Sequence, residues 1–90
     1  MKRVHVNISG RVQLVGFRFA THRAAIGFHM TGWVRNTANG SVEAVFEGED
    51  KSVDKMLEWC HIGPPAARVE NVIITQEPYT GEFNNFTIKY

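Results

Sequence analysis

RVHVNISGRVQLVGFRFATHRAAIGFH, residues 3–29, changes its periodicity part-way along, and that change decides the fold. Over residues 3–9, Val4, Val6 and Ile8 alternate with Arg3, His5, Asn7 and Ser9, the period of a strand with one buried face. Residues 10–17, GRVQLVGF, hold two glycines and break the alternation. Residues 18–29 then read as a helix, with Phe17, Ala20, Ala24 and Phe28 on one stripe and Gly27 near its end. A strand, a glycine-bearing loop and a helix therefore follow one another at the start of the chain.

Working outward, residues 31–37 and 41–47 read as two strands around Asn39-Gly40. That dipeptide suits a type I′ hairpin turn, whose two central residues both take positive φ. Glu43 and Glu47 face away from Val42, Ala44 and Phe46. Residues 50–61 read as a second helix with Val53, Met56, Leu57 and Cys60 on its apolar stripe and Asp50 or Ser52 as its cap. Gly63-Pro64-Pro65 stops it. Residues 68–76 are β-rich, and 84–90, NNFTIKY, form a last strand with Phe86, Ile88 and Tyr90 alternating. The order βαββαβ plus a C-terminal strand is the split-βαβ, ferredoxin-like α+β sandwich. It predicts a mixed, mostly antiparallel sheet with two helices on one face, built by residues 1–90 as a single domain. The first two strands then run parallel, so loop 10–17 and Asn36 become neighbours at one end of the sheet.

Composition narrows the function classes. In 90 residues, 43% are hydrophobic and 21% charged, a balance that folds rather than stays disordered. A formal charge of +1 gives no strong pull toward nucleic acid or membrane. Cys60 is the only cysteine, which excludes an intramolecular disulfide and a cysteine zinc cluster. His5, His22, His29 and His61 lack metal-ligand spacing, and no apolar run reaches membrane-spanning length. The opening MKRVHVNIS lacks the apolar core of a signal peptide. The expectation is a soluble, cytoplasmic monomer with no metal and no cofactor.

Two places carry candidate chemistry. Between Gly10 and Arg18, glycines let backbone N–H groups converge at a helix start, which makes an anion cradle, and Arg18 adds a planar fork of donors for phosphate oxygens. The same stretch also reads as an ordinary connection bearing one exposed arginine. It is neither a P-loop nor a dinucleotide fingerprint. Asn36, closing GWVRN (32–36), offers donors and an acceptor that suit a positioned water. From its pattern alone it reads first as a polar strand end. Cys60 fits a buried inert thiol, His22 a surface residue one turn beyond Arg18, and Trp33 and Trp59 packing residues. Arg23 and Arg35 fit solvated charges, and Glu49 and Asp50 a helix start.

GRVQLVGFR (10–18) followed by GWVRNTANGSVE (32–43) resembles the acylphosphatase family, as do GPPAARVENV (63–72) and FTIKY (86–90). The resemblance spans essentially the whole chain in order. It implies hydrolysis of acyl phosphates by an acylphosphate phosphohydrolase without metal, organic cofactor or phospho-enzyme. It implies Arg18 as the phosphate-binding arginine, Asn36 as the residue positioning the attacking water, and Gln13, Leu14, Val15, Gly16, Phe17 and Arg18 as the phosphate-binding loop. The implied ligands are a small acyl phosphate and inorganic phosphate. Leu14 departs from the pattern, which has glycine there. A positive φ at Leu14 means strain; a negative one means only a bulkier side chain. Leu14 also keeps open a non-catalytic anion-binding or assembly domain on the same scaffold. An RNA-binding domain shares the strand order, but VGFRF (15–19) falls in a loop rather than on a central strand.

Overall fold

The computed structural model describes residues 1–90. In chain order the elements are β1 (Lys2–Arg11), α1 (Phe17–Gly27), β2 (Thr31–Asn36), β3 (Val42–Gly48), α2 (Asp50–Cys60), β4 (Arg68–Glu77) and β5 (Phe86–Ile88). They build one five-stranded sheet in the order β4-β1-β3-β2-β5. β1 is antiparallel to β3 and to β4, β2 is antiparallel to β3, and β5 is parallel to β2. This is the ferredoxin-like α+β plan that the sequence predicts. The last strand is shorter than expected, covering Phe86–Ile88 rather than 84–90.

Period two gives β1 its two faces. Val4, Val6 and Ile8 are buried, and in register they meet Phe46, Ala44 and Val42 of β3. β2 adds Val34 to the same face, and β5 adds Phe86, stacked on Phe46 at 5.6 Å. The helices close over this face. α2 brings Val53, Met56 and Cys60 into the core, as its spacing predicts. Burial pushes the Cys60 thiol up to about 12, so it is an inert packing group. α1 buries Phe17, Thr21 and Ala25, a stripe shifted from the Phe17-Ala20-Ala24-Phe28 reading. Thr21 is tolerated there because its hydroxyl donates to the Phe17 carbonyl at 2.8 Å. Trp59 meets Phe17 edge to face at 5.6 Å. Trp33 lies instead on the opposite sheet face, under Lys89 at 4.3 Å and Arg35 at 5.6 Å.

Two local expectations are corrected. The hairpin turn is not type I′: Gly40 has φ 92°, and Asn39 has no positive φ. Asn39 instead uses its side chain, accepting the Ser41 N–H at 3.3 Å, while Gly40 N–H reaches the Thr37 carbonyl at 3.2 Å. The turn is thus a five-residue loop with glycine at its left-handed position. At the second helix, Glu49 occupies the N-cap and no side chain caps the helix; Asp50 lies in the first turn.

Glu47 is the largest departure. It faces away from the helices as expected, yet it is 1% exposed. The segment from Pro78 to Asn85, which carries the chain from the β4 edge to the β5 edge, covers it. Its carboxylate accepts the Thr80 N–H at 3.1 Å, the Gly81 N–H at 3.2 Å and the Thr80 hydroxyl at 3.1 Å. Arg3, its register partner, donates to it at 3.2 Å and reaches Glu77 at 2.8 Å and Glu82 at 2.7 Å. Phe83 lies 5.3 Å from the same guanidinium. Burial by itself would raise the Glu47 carboxyl, but the Thr80 and Arg3 hydrogen bonds prevail and hold it below the ordinary value. This anchor fixes the connector, and the connector delivers β5 to the other end of the sheet.

Candidate active site

At the sheet end away from Glu47, one rung runs Val72, Ile8, Val42, Asn36 across β4, β1, β3 and β2. The loop from Val12 to Gly16 rises beside it and enters α1. Val12 is buried and Val15 packs on the core, so the loop is pinned at alternate residues. Between them the Gln13 carboxamide donates to the carbonyls of Thr37 at 2.8 Å and Ser41 at 2.9 Å. The loop after β1 is thereby tied to the hairpin that follows Asn36.

Gly16 caps α1 in the left-handed region, φ 77°. The helix's first bond runs from Ala20 N–H to the Gly16 carbonyl at 3.0 Å, which leaves the N–H groups of Phe17, Arg18 and Phe19 without acceptors inside the helix. No acidic residue lies in this first turn, so the partial positive charge of the helix start is uncompensated.

A cleft of about 190 Å³ opens at this point, lined by Val12, Leu14, Gly16, Phe17, Arg18, Phe19, Asn36, Ile88 and Tyr90. Arg18 is the only charged side chain among these residues, and it makes no ion pair with any carboxylate. Its guanidinium lies 4.9 Å from the centroid of the Tyr90 ring. The Asn36 carboxamide is half-buried and takes no hydrogen-bond partner within the protein. Chemically, one unpaired cation, a helix start with acceptor-free N–H groups and one free amide at the wall suit a small anion.

The structure brings Arg18 and Asn36 to one cleft from positions 18 residues apart in the chain, as the parallel run of β1 and β2 requires. Of the expected loop, Leu14, Gly16, Phe17 and Arg18 border the cleft. The side chains of Gln13 and Val15 do not; they brace it. Leu14 has φ 64°, the left-handed region, which answers the question its sequence left open. A leucine held there costs about 1–2 kcal/mol relative to glycine. Its side chain is 102% exposed, so it stands at the rim rather than filling the cleft.

His22 packs toward Phe86 at 6.1 Å and does not line the cleft. Arg35 is paired with Glu43 at 2.6 Å on the far sheet face, and His5 meets the same carboxylate at 2.7 Å. Burial would raise Glu43, but hydrogen bonds from His5 and Arg35 hold it below the ordinary value. Sequence reading missed the wall made by Ile88 and Tyr90. The alternation of Phe86, Ile88 and Tyr90 was visible, but only the β2–β5 pairing carries its end to Arg18.

Fold and cleft together define a small α+β domain of ferredoxin-like plan with a cleft at the start of α1 that holds one unpaired arginine. The acylphosphatase family profile matches residues 4–88. An acylphosphatase of Syntrophus aciditrophicus is 53% identical over 90 residues, covering all of this chain and 94% of the relative. The crystal structure of acylphosphatase from Bacillus subtilis superposes with a TM-score of 0.96 at 30% identity, covering both chains fully. An acylphosphatase structure from Coxiella burnetii gives a TM-score of 0.93 at 36% identity, over 98% of this chain and 92% of that one. The chain belongs to the acylphosphatase family. Its activity is hydrolysis of small acyl phosphates to a carboxylate and inorganic phosphate.

Proposed function

We propose that Arg18 and the backbone N–H groups from Gln13 to Arg18 hold the phosphoryl group, and that Asn36 orients the attacking water. The observation that carries this reading is the convergence of an unpaired arginine, a free carboxamide and the acceptor-free helix start on one cleft. Hydrolysis of a mixed anhydride needs little acid catalysis, because the carboxylate leaves readily. What the site must supply is position and charge stabilisation for in-line attack. The water oxygen bonds to phosphorus as the bond from phosphorus to the acyl oxygen breaks, and the carboxylate departs with that bonding pair. No histidine or acidic side chain lines the cleft, so a phosphoryl oxygen of the substrate accepts the water proton.

The test is turnover of benzoyl phosphate in EDTA by the parent, Arg18→Ala and Asn36→Ala. Arg18→Ala is expected to lose both phosphate inhibition and turnover. Asn36→Ala is expected to lose about 3–4 kcal/mol of transition-state stabilisation while inorganic phosphate still inhibits. Undiminished rates in either variant overturn its role. The chain acts in the cytoplasm as a monomer without nucleic acid or membrane, a reading supported by its single buried cysteine and near-neutral charge. Light scattering and elution from heparin test the state and the partners.

A further inference from the structure

Leu14 stands in the left-handed region, yet its side chain is fully exposed. The free protein thus places an apolar side chain in an unfavourable conformation and gains no burial from it. Phe19 is 62% exposed and Tyr90 99% exposed, and with Leu14 they line the same cleft as Arg18. Six of the nine lining residues are hydrophobic. Three large side chains largely in water around one cleft form a collar: Tyr90 is touched by the Arg18 guanidinium at 4.9 Å and Phe19 by that of Arg23 at 6.0 Å, but no apolar side chain of the folded chain covers them.

We infer that this collar is an acyl-binding subsite, and that Leu14 selects acyl phosphates with aromatic or branched apolar acyl groups. The inference rests on the phosphate assignment to Arg18 above. With the phosphoryl group at Arg18 and the helix start, in-line attack directs the acyl oxygen away from the water, and the cleft's outer lining is this collar. The acyl group is the one part of the substrate that can cover Leu14 and Phe19. Charge sets the limit on the other side. Arg18 is the sole lining cation, so an acyl chain ending in a carboxylate finds no second partner there. The Leu14 side chain is then the specificity element, and its contact is made only when substrate covers it.

The experiment compares kcat/KM for benzoyl, acetyl and succinyl phosphates in the parent, Leu14→Ala and Leu14→Met. Alanine keeps a Cβ and therefore the backbone strain, so it removes only the outer side chain. The parent is expected to prefer benzoyl over acetyl, and acetyl over succinyl. Leu14→Ala is expected to lower the benzoyl-to-acetyl ratio about tenfold, the scale of lost methylene contacts in an apolar pocket. Leu14→Met is expected to keep the ratio within about threefold, because it restores apolar length. An unchanged ratio in Leu14→Ala, or an equal loss on benzoyl and acetyl phosphates, overturns the inference. Inorganic phosphate inhibition, measured on the same variants and on Arg18→Ala, keeps the two readings apart. Retained phosphate inhibition in Arg18→Ala sinks the phosphate assignment, whereas the substrate ratio alone decides the collar.

Discussion

Arg3 and Glu47 face each other across β1 and β3, and the 3.2 Å contact between them lies under the connector that Glu47 also holds through Thr80 and Gly81. Glu43, Glu47 and Glu82 all titrate below their ordinary value of 4.5. For Glu82 the leading cause is the Arg3 hydrogen bond, and for Glu47 it is the Thr80 and Arg3 bonds overcoming burial. In this window the unfolded chain binds more protons than the folded one. The stability these groups contribute is therefore complete above pH 4.5 and is lost as pH falls through their folded values. Thermal unfolding from pH 7 to pH 3 is expected to show a steep acid loss. Glu47→Gln is expected to flatten it, and a parent-like profile in that variant assigns the loss elsewhere.

Removing the carboxylate has a size as well as a pH dependence. Glu47→Ala leaves the Thr80 and Gly81 N–H groups unpaired and frees the connector. The expected loss is about 3 kcal/mol, the low end for breaking a buried pair, because Arg3 keeps Glu77 and Glu82. Urea titration measures it, and a loss under about 1 kcal/mol, the worth of one ordinary hydrogen bond, contradicts the anchoring role.

Gln13 couples the loop to the hairpin rather than touching the cleft. Gln13→Ala is expected to cost about 1–3 kcal/mol of stability through its two lost backbone contacts. It is also expected to weaken phosphate inhibition severalfold while Gln13→Glu, which accepts but does not donate, fails to rescue. Unaltered inhibition constants in Gln13→Ala show that the loop holds its shape without this tie.

Leu14→Gly relieves about 1–2 kcal/mol of left-handed strain but adds about 0.5–1 kcal/mol of chain entropy to the unfolded state. The net expectation is a gain near 1 kcal/mol. For a chain of this length, that raises Tm by about 4–8 °C in a thermal scan. A lowered Tm means the leucine side chain stabilises the folded state in a way its exposure does not reveal.

Cys60 is 0% exposed and its thiol is pushed up to about 12 by burial. A thiol reagent at pH 8 is expected to modify it only as fast as the chain opens, and promptly in urea. Fast labelling of the folded protein contradicts the closed packing of α2.

Local patterning made most of the architecture legible. Val4, Val6 and Ile8 give β1 its buried face because side chains alternate strictly along a strand. Val53, Met56 and Cys60 fix α2 in the same way at helical spacing. Arg18 and Asn36 were legible through topology, since parallel β1 and β2 bring their ends together. Glu47 was not, because period two places it on the open face and its cover comes from a loop more than thirty residues on. Tyr90 was seen as a strand residue, but its seat against Arg18 follows from the pairing of β5 with β2. The left-handed conformation of Leu14 is signalled only by the glycine that the acylphosphatase pattern holds there; leucine itself disfavours it.

The pairing of β1 with β4 joins Arg3 to Glu77 and Arg11 to Arg68, so nearly the whole chain must be looped back before this ladder exists. Loop-closure entropy is spent first, and the hydrogen bonds arrive afterwards. Folding is therefore expected to be slower than that of a helical chain of this length, whose contacts are local. During that interval β1 lacks one of its two neighbours, and its alternating valines form an open template for another copy. The same strand order that assembles the cleft leaves that edge of β1 open until β4 is in place.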